Sequence, residues 1–290
     1  MSDKPKILMQ FDPDKHASSF DAVVAIDSGA DHLVQYSNVS RDDVQNLVYG
    51  ASFTRGPADL KSTAIFVGGT NVAAGEELAK QIAATFFGPM RVSVMMDSNG
   101  ANTTASAAVV AAGRHAELRG AQATVLAGTG PVGQRVCRLL AAAGANVKVG
   151  SRNVDRAATV CDRIASEVEC AKLEPIAPGN DDELRSVLAT TELLFAAGTT
   201  GIQLASQSAW QESDAIRVAI DLNAVPPLGI EGIGVTDAGT EHHGKTCYGA
   251  IGVGGTKMKI HKAAIKKLFE ANDLMLDAAE IYQIGRELES

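Results

Sequence analysis

The stretch AQATVLAGTGPVG, residues 121–133, decides the fold. It opens with an apolar run at 123–127, bends through Gly128, Thr129 and Gly130, and passes with Pro131 and Val132 into a helical pattern at 131–143 that stops at Gly144. Gly128, Gly130 and Gly133 spell GxGxxG directly after a strand pattern and directly before a helix pattern, the context that gives this common motif its meaning. In such a turn the first glycine permits the bend, the second lets the backbone approach a pyrophosphate, and the third lets helix and strand pack closely. The helix start then offers N–H groups and the positive end of its dipole to phosphate oxygens. Residues 128–133 are therefore predicted to bind a dinucleotide.

The next strand, at 146–149, runs into Gly150, Ser151, Arg152 and Asn153. A site for NAD usually carries an acid there to bond the ribose 2′-hydroxyl. Here a hydroxyl and a guanidinium stand where a 2′-phosphate would lie, with Arg156 one helical turn on, and arginine suits phosphate by charge and by its planar fork. NADP is the predicted cofactor, with NAD also possible because Arg152 does not exclude it. Farther along, Ala197 and Gly198 follow the apolar run 193–196, and Asp221 and Asn223 follow the run 218–220. Ligands of doubly wound sheets bind outside the carboxyl ends of the strands. Small residues at 197–198 leave room for ribose and nicotinamide. Asp221 and Asn223 either face the nicotinamide or cap their own loop.

The same alternation precedes this segment. Runs at 6–11, 63–67 (TAIFV) and 91–96 read as strands, and patterns at 20–26, 73–87 and 102–113 as helices, the last with Asn102 or Thr103 as N-cap. A helix at 153–167 and helical segments at 260–269 and 278–288 complete the series. Strand–helix alternation implies parallel sheets with right-handed crossovers. The predicted fold is α/β with two domains: a Rossmann-type doubly wound parallel sheet at 113–257, and a second α/β domain at 1–112 completed by 258–290. The active-site cleft is expected between them.

Composition sets the outer limits. The chain has 290 residues and a net charge of −8, with 46% hydrophobic and 4% aromatic residues. An acidic chain makes a poor partner for nucleic acid. No apolar run reaches the roughly 20 residues that span a bilayer, and the start carries no apolar signal region, so a cytoplasmic protein without a membrane is expected. Cys137, Cys161, Cys170 and Cys247 form no CxxC pair, and no metal signature is visible. Glycine is in excess, with 28 residues, nine of them from Gly229 to Gly255. That clustering leads us to expect backbone approaching ligand there.

Oxidising an alcohol with NADP requires a base. None of Tyr36, Tyr49, Tyr248 and Tyr282 has lysine four positions on, the six histidines are not clustered as ligands, and no GxSxG is present. A hydride transfer whose product needs no deprotonation fits this absence. A shikimate- or quinate-type NADP dehydrogenase would need a Lys–Asp pair acting on a hydroxyl, and a non-catalytic NADP-sensing protein would keep the glycine turn alone.

Several segments together resemble one family. KSTAIFVGG (61–69), FFGPMRVSVMMDSNGANTTASA (86–107), VLAGTGPVG (125–133), DLNAVPPLGIEGI (221–233) and YGAIGVGGTKMKIHKA (248–263) are similar to the bacterial NADP-dependent methylene-tetrahydromethanopterin dehydrogenases of methylotrophs, some of which also act on methylene-tetrahydrofolate. The resemblance runs from FDPD near the start to AEIY near the end, and departs around residues 151–153, where cofactor preference is set. It implies tetrahydromethanopterin as co-substrate, no metal, and a homo-oligomer, a trimer or hexamer. The implied reaction matches the missing base, because loss of hydride from a CH₂ between two nitrogens leaves a cation shared by both and no proton need leave. Positioning and electrostatics then do most of the catalysis. On this reading Asp97, at a strand end, supplies negative field or accepts from the pterin, Lys257 meets pterin or substrate tail, Asn99, Asn102, Thr103 and Thr104 form a polar rim, and Lys61 is a weaker contact.

Overall fold

The computed structural model describes residues 4–289. In chain order the first elements are β1 (Ile7–Phe11), α1 (Ser19–Asp27), β2 (His32–Tyr36), α2 (Arg41–Ser52), β3 (Thr63–Val67), α3 (Val72–Thr85), β4 (Ser93–Met96) and α4 (Ala101–Gly113). There follow β5 (Gln122–Leu126), α5 (Pro131–Ala142), β6 (Asn146–Gly150), α6 (Val154–Glu167), β7 (Lys172–Ile176), α7 (Asp181–Leu188), β8 (Leu193–Ala196), α8 (Gln207–Trp210) and β9 (Val218–Asp221). The chain closes with β10 (Ala238–His242), β11 (Lys245–Tyr248), α9 (Ala250–Lys267), β12 (Met275–Leu276) and α10 (Ala278–Glu287). Backbone packing divides them into two units, one up to Thr103 plus the residues from Met258 on, the other Thr104–Lys257. The division falls inside α4 rather than near residue 112, because the first turn of α4 is tied to the first unit: the Asn102 Nδ2 donates to Asp277 Oδ1 at 2.9 Å.

The first unit is a five-stranded parallel sheet in the order β12-β4-β3-β1-β2. β3 lies at its centre and all five of its residues are buried, which is why TAIFV reads as an unbroken apolar run. Phe11, Ile65, Leu78, Ile82 and Val94 build the core beside it. The strand β2 is an edge, mostly exposed, and its alternating HLVQY gives a weaker signal than the buried strands.

The second unit is a seven-stranded sheet in the order β10-β11-β9-β8-β5-β6-β7. Six strands are parallel, and β10 runs antiparallel to β11 as a hairpin at one edge. The order turns back between β5 and β8, the arrangement of a Rossmann sheet. β8 and β9 are wholly buried, and one core gathers around Trp210, whose Nε1 donates to the Glu231 carbonyl at 2.9 Å. The opposite edge, β7, carries Pro175 in register with Val149 of β6.

The glycine-rich stretch departs most from expectation. Helix α9 starts at Ala250, not near residue 260, so Gly252, Gly254, Gly255 and Lys257 lie within it. Gly249 and Gly252 are required by close packing against protein. A Cβ on Gly249 would lie 2.1 Å from the Gly234 carbonyl oxygen, and one on Gly252 1.6 Å from that of Asp237. Among the described residues no helix is long and apolar enough to cross a membrane.

Candidate functional site

The turn after β5 is built by contacts. Its left-handed residue is Ala127, at φ 55°, and not Gly128 as the motif suggests. The Gly128 N–H donates to Gly150 O at 2.8 Å and that of Gly130 to Ala127 O at 3.1 Å. A Cβ on Gly128 would sit 3.0 Å from both Val125 O and Val149 Cγ1, and one on Gly133 2.5 Å from Ala127 O, so glycine is demanded at both by close backbone approach. Gly130 differs. A Cβ there would meet only Ala127 O at 3.5 Å and Ala197 O at 3.6 Å, ordinary contact. Gly130 is also the N-cap of α5, followed by Pro131, and no side chain caps that helix start, whereas Ser18, Asn71, Asn153 and Asn180 cap α1, α3, α6 and α7. The amides of Val132 and Gly133 occupy the first helical turn, where intrahelical acceptors are lacking. Thr129 accepts from Gln134 Nε2 through its carbonyl, at 2.5 Å. An oxygen-rich, anionic pyrophosphate fits this uncapped, Cβ-free corner.

Beside it, β6 ends at Gly150. Ser151 Oγ accepts from the Asn153 N–H at 3.2 Å, and Asn153 Oδ1 accepts from the Arg156 N–H at 3.0 Å. The Asn153 side chain thus serves as the cap of α6, while Arg152 and Arg156 are exposed on the loop and first turn. On the other side Ala197 donates its N–H to Leu126 O at 3.1 Å. A Cβ on Gly198 would lie 2.8 Å from Leu204 Cδ1, the end of a flexible side chain. Asp221 and Asn223 organise their own loop. Asp221 accepts from the Asn223 N–H at 3.0 Å and the Ile230 N–H at 2.9 Å. Asn223 accepts from the Val225 N–H and donates to Pro227 O. Both are buried, and burial raises the Asp221 carboxyl above its ordinary range against the pull of those backbone donors. Of the two readings of this pair, these contacts supply the loop-capping one.

In the first unit Asp97 is 2% exposed and caps α4. Its Oδ1 accepts from the N–H groups of Asn102 and Thr103 at 2.9 and 3.0 Å, and its Oδ2 accepts from the Thr103 hydroxyl at 2.6 Å. The expected N-cap role of Asn102 or Thr103 therefore passes to Asp97, and both lie buried inside the helix. Asn102 Nδ2 donates to Met96 O as well as to Asp277. Asn99 is exposed in the left-handed region at φ 54°, its N–H donating to Gly69 O at 2.6 Å, and Thr104 is half-buried. Lys61 is not brought to this end. It lies before β3, at the amino end of a strand whose carboxyl end leads to Gly68, and five strand residues span roughly 16 Å. Lys257 is half-buried within α9. Removing the Asp97 carboxylate is expected to lower stability by about 3 kcal/mol, because bonds to a charged, buried acceptor are lost and their donors stranded. A urea titration of Asp97→Ala checks this, and an unchanged midpoint would exclude the capping role.

Sequence reasoning did not pick out the polar groups nearest the centre of this sheet end: Gln10, Asp12, Asp21 and His261. Asp12 follows β1 at once in FDPD, a signal that was legible. His261 is 1% exposed and stacks on Phe66, with ring centroids 5.7 Å apart, a position that α9 alone supplies. Among the described residues no group of three or more His, Cys, Asp or Glu is placed to hold a metal ion. Burial pushes the Cys247 thiol up to about 12 and raises Cys137 and Cys161 as well, which keeps all three protonated.

Comparison with known proteins adds four findings. Residues 19–99 match the family model described as methylene-tetrahydromethanopterin dehydrogenase, N-terminal. The bifunctional protein MdtA of Methylorubrum extorquens is 44% identical, with 98% of this chain and 99% of that one covered. The NAD(P)-dependent methylenetetrahydromethanopterin dehydrogenase of the same organism is 28% identical, with 97% and 98% covered. Among solved structures, shikimate 5-dehydrogenase from Listeria monocytogenes superposes with a TM-score of 0.52 at 14% identity, covering 98% of this chain and 96% of that one, a likeness of fold.

Proposed function

The chain belongs to the methylene-tetrahydromethanopterin dehydrogenase family, and from that premise we propose that it oxidises methylene-tetrahydromethanopterin to the methenyl form with NADP, in one-carbon metabolism. The observation that carries this reading is the match to proteins described as methylene-tetrahydromethanopterin dehydrogenases, by family model at residues 19–99 and by a relative covering 97% of the chain, which takes in both units and not the glycine turn alone. A shikimate-type reaction has only fold-level likeness behind it, and likeness of fold does not transfer chemistry.

A bound nicotinamide supplies the hydride acceptor. The protein's part is to bind and to orient. The uncapped start of α5 and the open side of Gly130 hold the pyrophosphate, and the small residues Ala197 and Gly198 border the same corner. Arg152 and Arg156 are exposed where a 2′-phosphate would lie, which favours NADP over NAD. No side chain need take a proton, in keeping with a sequence in which no tyrosine has lysine four positions on. The family resemblance further supports a cytoplasmic homo-oligomer, a trimer or hexamer, which the mass in solution tests.

The deciding assay mixes the protein with methylene-tetrahydromethanopterin and NADP and follows reduced cofactor by absorbance, with parallel arms for methylene-tetrahydrofolate, NAD and shikimate. Turnover of the methylene pterin is expected. No turnover of any methylene pterin would overturn the reading, and would leave the NADP-sensing alternative standing. Arg152→Ala is expected to raise the KM for NADP at least about 10-fold, the loss of one charge-assisted contact, while moving that for NAD by less than about 3-fold. Equal shifts for both would remove Arg152 from the phosphate.

A further inference from the structure

The first unit has its own point of reversal. Its strand order, β2-β1-β3-β4-β12, is that of a flavodoxin-like sheet, in which the chain turns from one side to the other between β1 and β3. Ligands of open parallel sheets sit outside the strand carboxyl ends at that point. Here β1 delivers Gln10 and Asp12, β3 leads into Gly68, and the first turn of α1 brings Asp21 across them. A Cβ on Gly68 would lie 3.2 Å from Asp12 Oδ2, 3.4 Å from Asp21 Oδ2 and 3.4 Å from Gln10 Nε2.

Most of the polar groups at this point are held by protein. Asp12 accepts from the N–H groups of Asp14 and Ser18 at 2.9 and 3.1 Å. Gln10 Oε1 accepts from Gln35 Nε2 at 3.0 Å. Asp97 caps α4. The Asp21 carboxylate is tied to protein by the Ser18 hydroxyl, but not in the usual capping pattern. Asp21 is the third residue of α1, whose N-cap is Ser18, and in an S-x-x-D start the acid ordinarily accepts from the backbone N–H of the cap. Helices α2 and α10 close that box, with Ser40 and Asp43 in one and Asp277 and Glu280 in the other. In α1 the Ser18 N–H goes to Asp12 instead, and the Asp21 carboxylate, keeping the Ser18 hydroxyl, faces Gly68. Unlike Asp12 and Asp97, Asp21 is only half-buried. Desolvation raises its carboxyl above the ordinary range, His261 draws it back, and Asp97 and Asp12 raise it further.

We propose that Asp21 receives the N–H-bearing edge of the substrate's 2-amino-4-oxopyrimidine ring at the β1/β3 reversal point of the first unit. This rests on the function proposed above and assigns one substrate contact within it. That ring edge presents an amino group and a ring N–H side by side, two donors matched to the two oxygens of a carboxylate, the counterpart of the fork that arginine offers to acids. The negative field of Asp12 and Asp97 behind Asp21 disfavours an anion there and favours a donor edge. A first-turn acid that only complements the helix dipole would leave substrate binding untouched.

The test uses the full chain. Asp21→Asn keeps the shape and removes the charge, with Asp21→Ser as a second variant for the same readouts. The KM for methylene-tetrahydromethanopterin is expected to rise about 50-fold, within the range for loss of bonds to a charged acceptor, with kcat at saturation within about 5-fold of the parent and NADP affinity unchanged. The KM for methylene-tetrahydrofolate, which carries the same ring edge, is expected to rise in parallel. An unchanged KM in both folded variants overturns the proposal. So does a fall in kcat at unchanged KM, which would place Asp21 at the reacting carbon. If the parent protein turns over no methylene pterin, the proposed function fails. If the parent is active and the variants keep its KM, this assignment alone fails.

Discussion

Alanine at Gly130 will leave the fold standing and weaken the dinucleotide about 100-fold, whereas alanine at Gly133, three residues on, will damage both. The two glycines share one motif but answer to different neighbours. Gly130 has φ −77° and ψ 166°, extended backbone open to any residue, and a methyl there would find the nearest protein atoms at 3.5 Å. The cost to the apoprotein is at most about 1 kcal/mol, the difference between glycine and alanine at a helix cap. The methyl would, however, project into the corner where a pyrophosphate must approach the backbone. At Gly133 the methyl would lie 2.5 Å from Ala127 O and 2.8 Å from Gly128 Cα, and neither backbone atom can move without opening the turn. A loss of about 3 kcal/mol is expected there, the upper range for overpacking. Urea midpoints together with calorimetric titration of NADP separate the two effects. Equal stability loss in both variants, or full cofactor affinity in Gly130→Ala, would remove Gly130 from the cofactor.

The second large effect lies in α9. Glycine inside a helix ordinarily costs about 1 kcal/mol against alanine, so Gly254→Ala and Gly255→Ala, where a Cβ meets nothing within 4 Å, are expected to stabilise by up to about that amount. Gly252→Ala, two residues away in the same helix, must go the other way. Its Cβ would fall 1.6 Å from Asp237 O and 2.5 Å from Asp237 C, and that loop would have to leave the helix. A net loss of about 3 kcal/mol is expected after the propensity gain is counted, read as opposite shifts in the denaturant midpoint. If Gly252→Ala moves with Gly254→Ala, the packing of α9 on residues 237–238 is wrong.

These contrasts mark where sequence reading succeeds. Strand patterns such as TAIFV and the GxGxxG turn were legible because burial on both faces and backbone crowding leave few choices of residue. The edge strand β2 and the start of α9 were not. An exposed edge needs no apolar run, and the glycines of α9 speak against a helix until the facing backbone is known. The candidate site divides in the same way. Gly128–Gly133 could be located from spacing, because the spacing is the geometry. Asp97 was found as a strand-end acid, but its use by the amides of α4 depends on how that helix starts. Asp21 was invisible, because its S-x-x-D spacing reads as an ordinary capping box. Only the capture of the Ser18 N–H by Asp12 releases it.

Pro175 has a consequence beyond its own strand. The Ile176 carbonyl accepts from Ser151 at 3.0 Å and so points to β6, which turns its neighbour Pro175 to the open side of the sheet. There it withholds a backbone donor from the row that another chain would use to dock. In the other sheet, the border opposite β2 is β12, only two residues long. Parallel sheets assemble slowly and expose unpaired strands while they do so. Borders of this kind protect a half-assembled chain from amyloid-like addition of its neighbours, a defence that acts before any cofactor can bind.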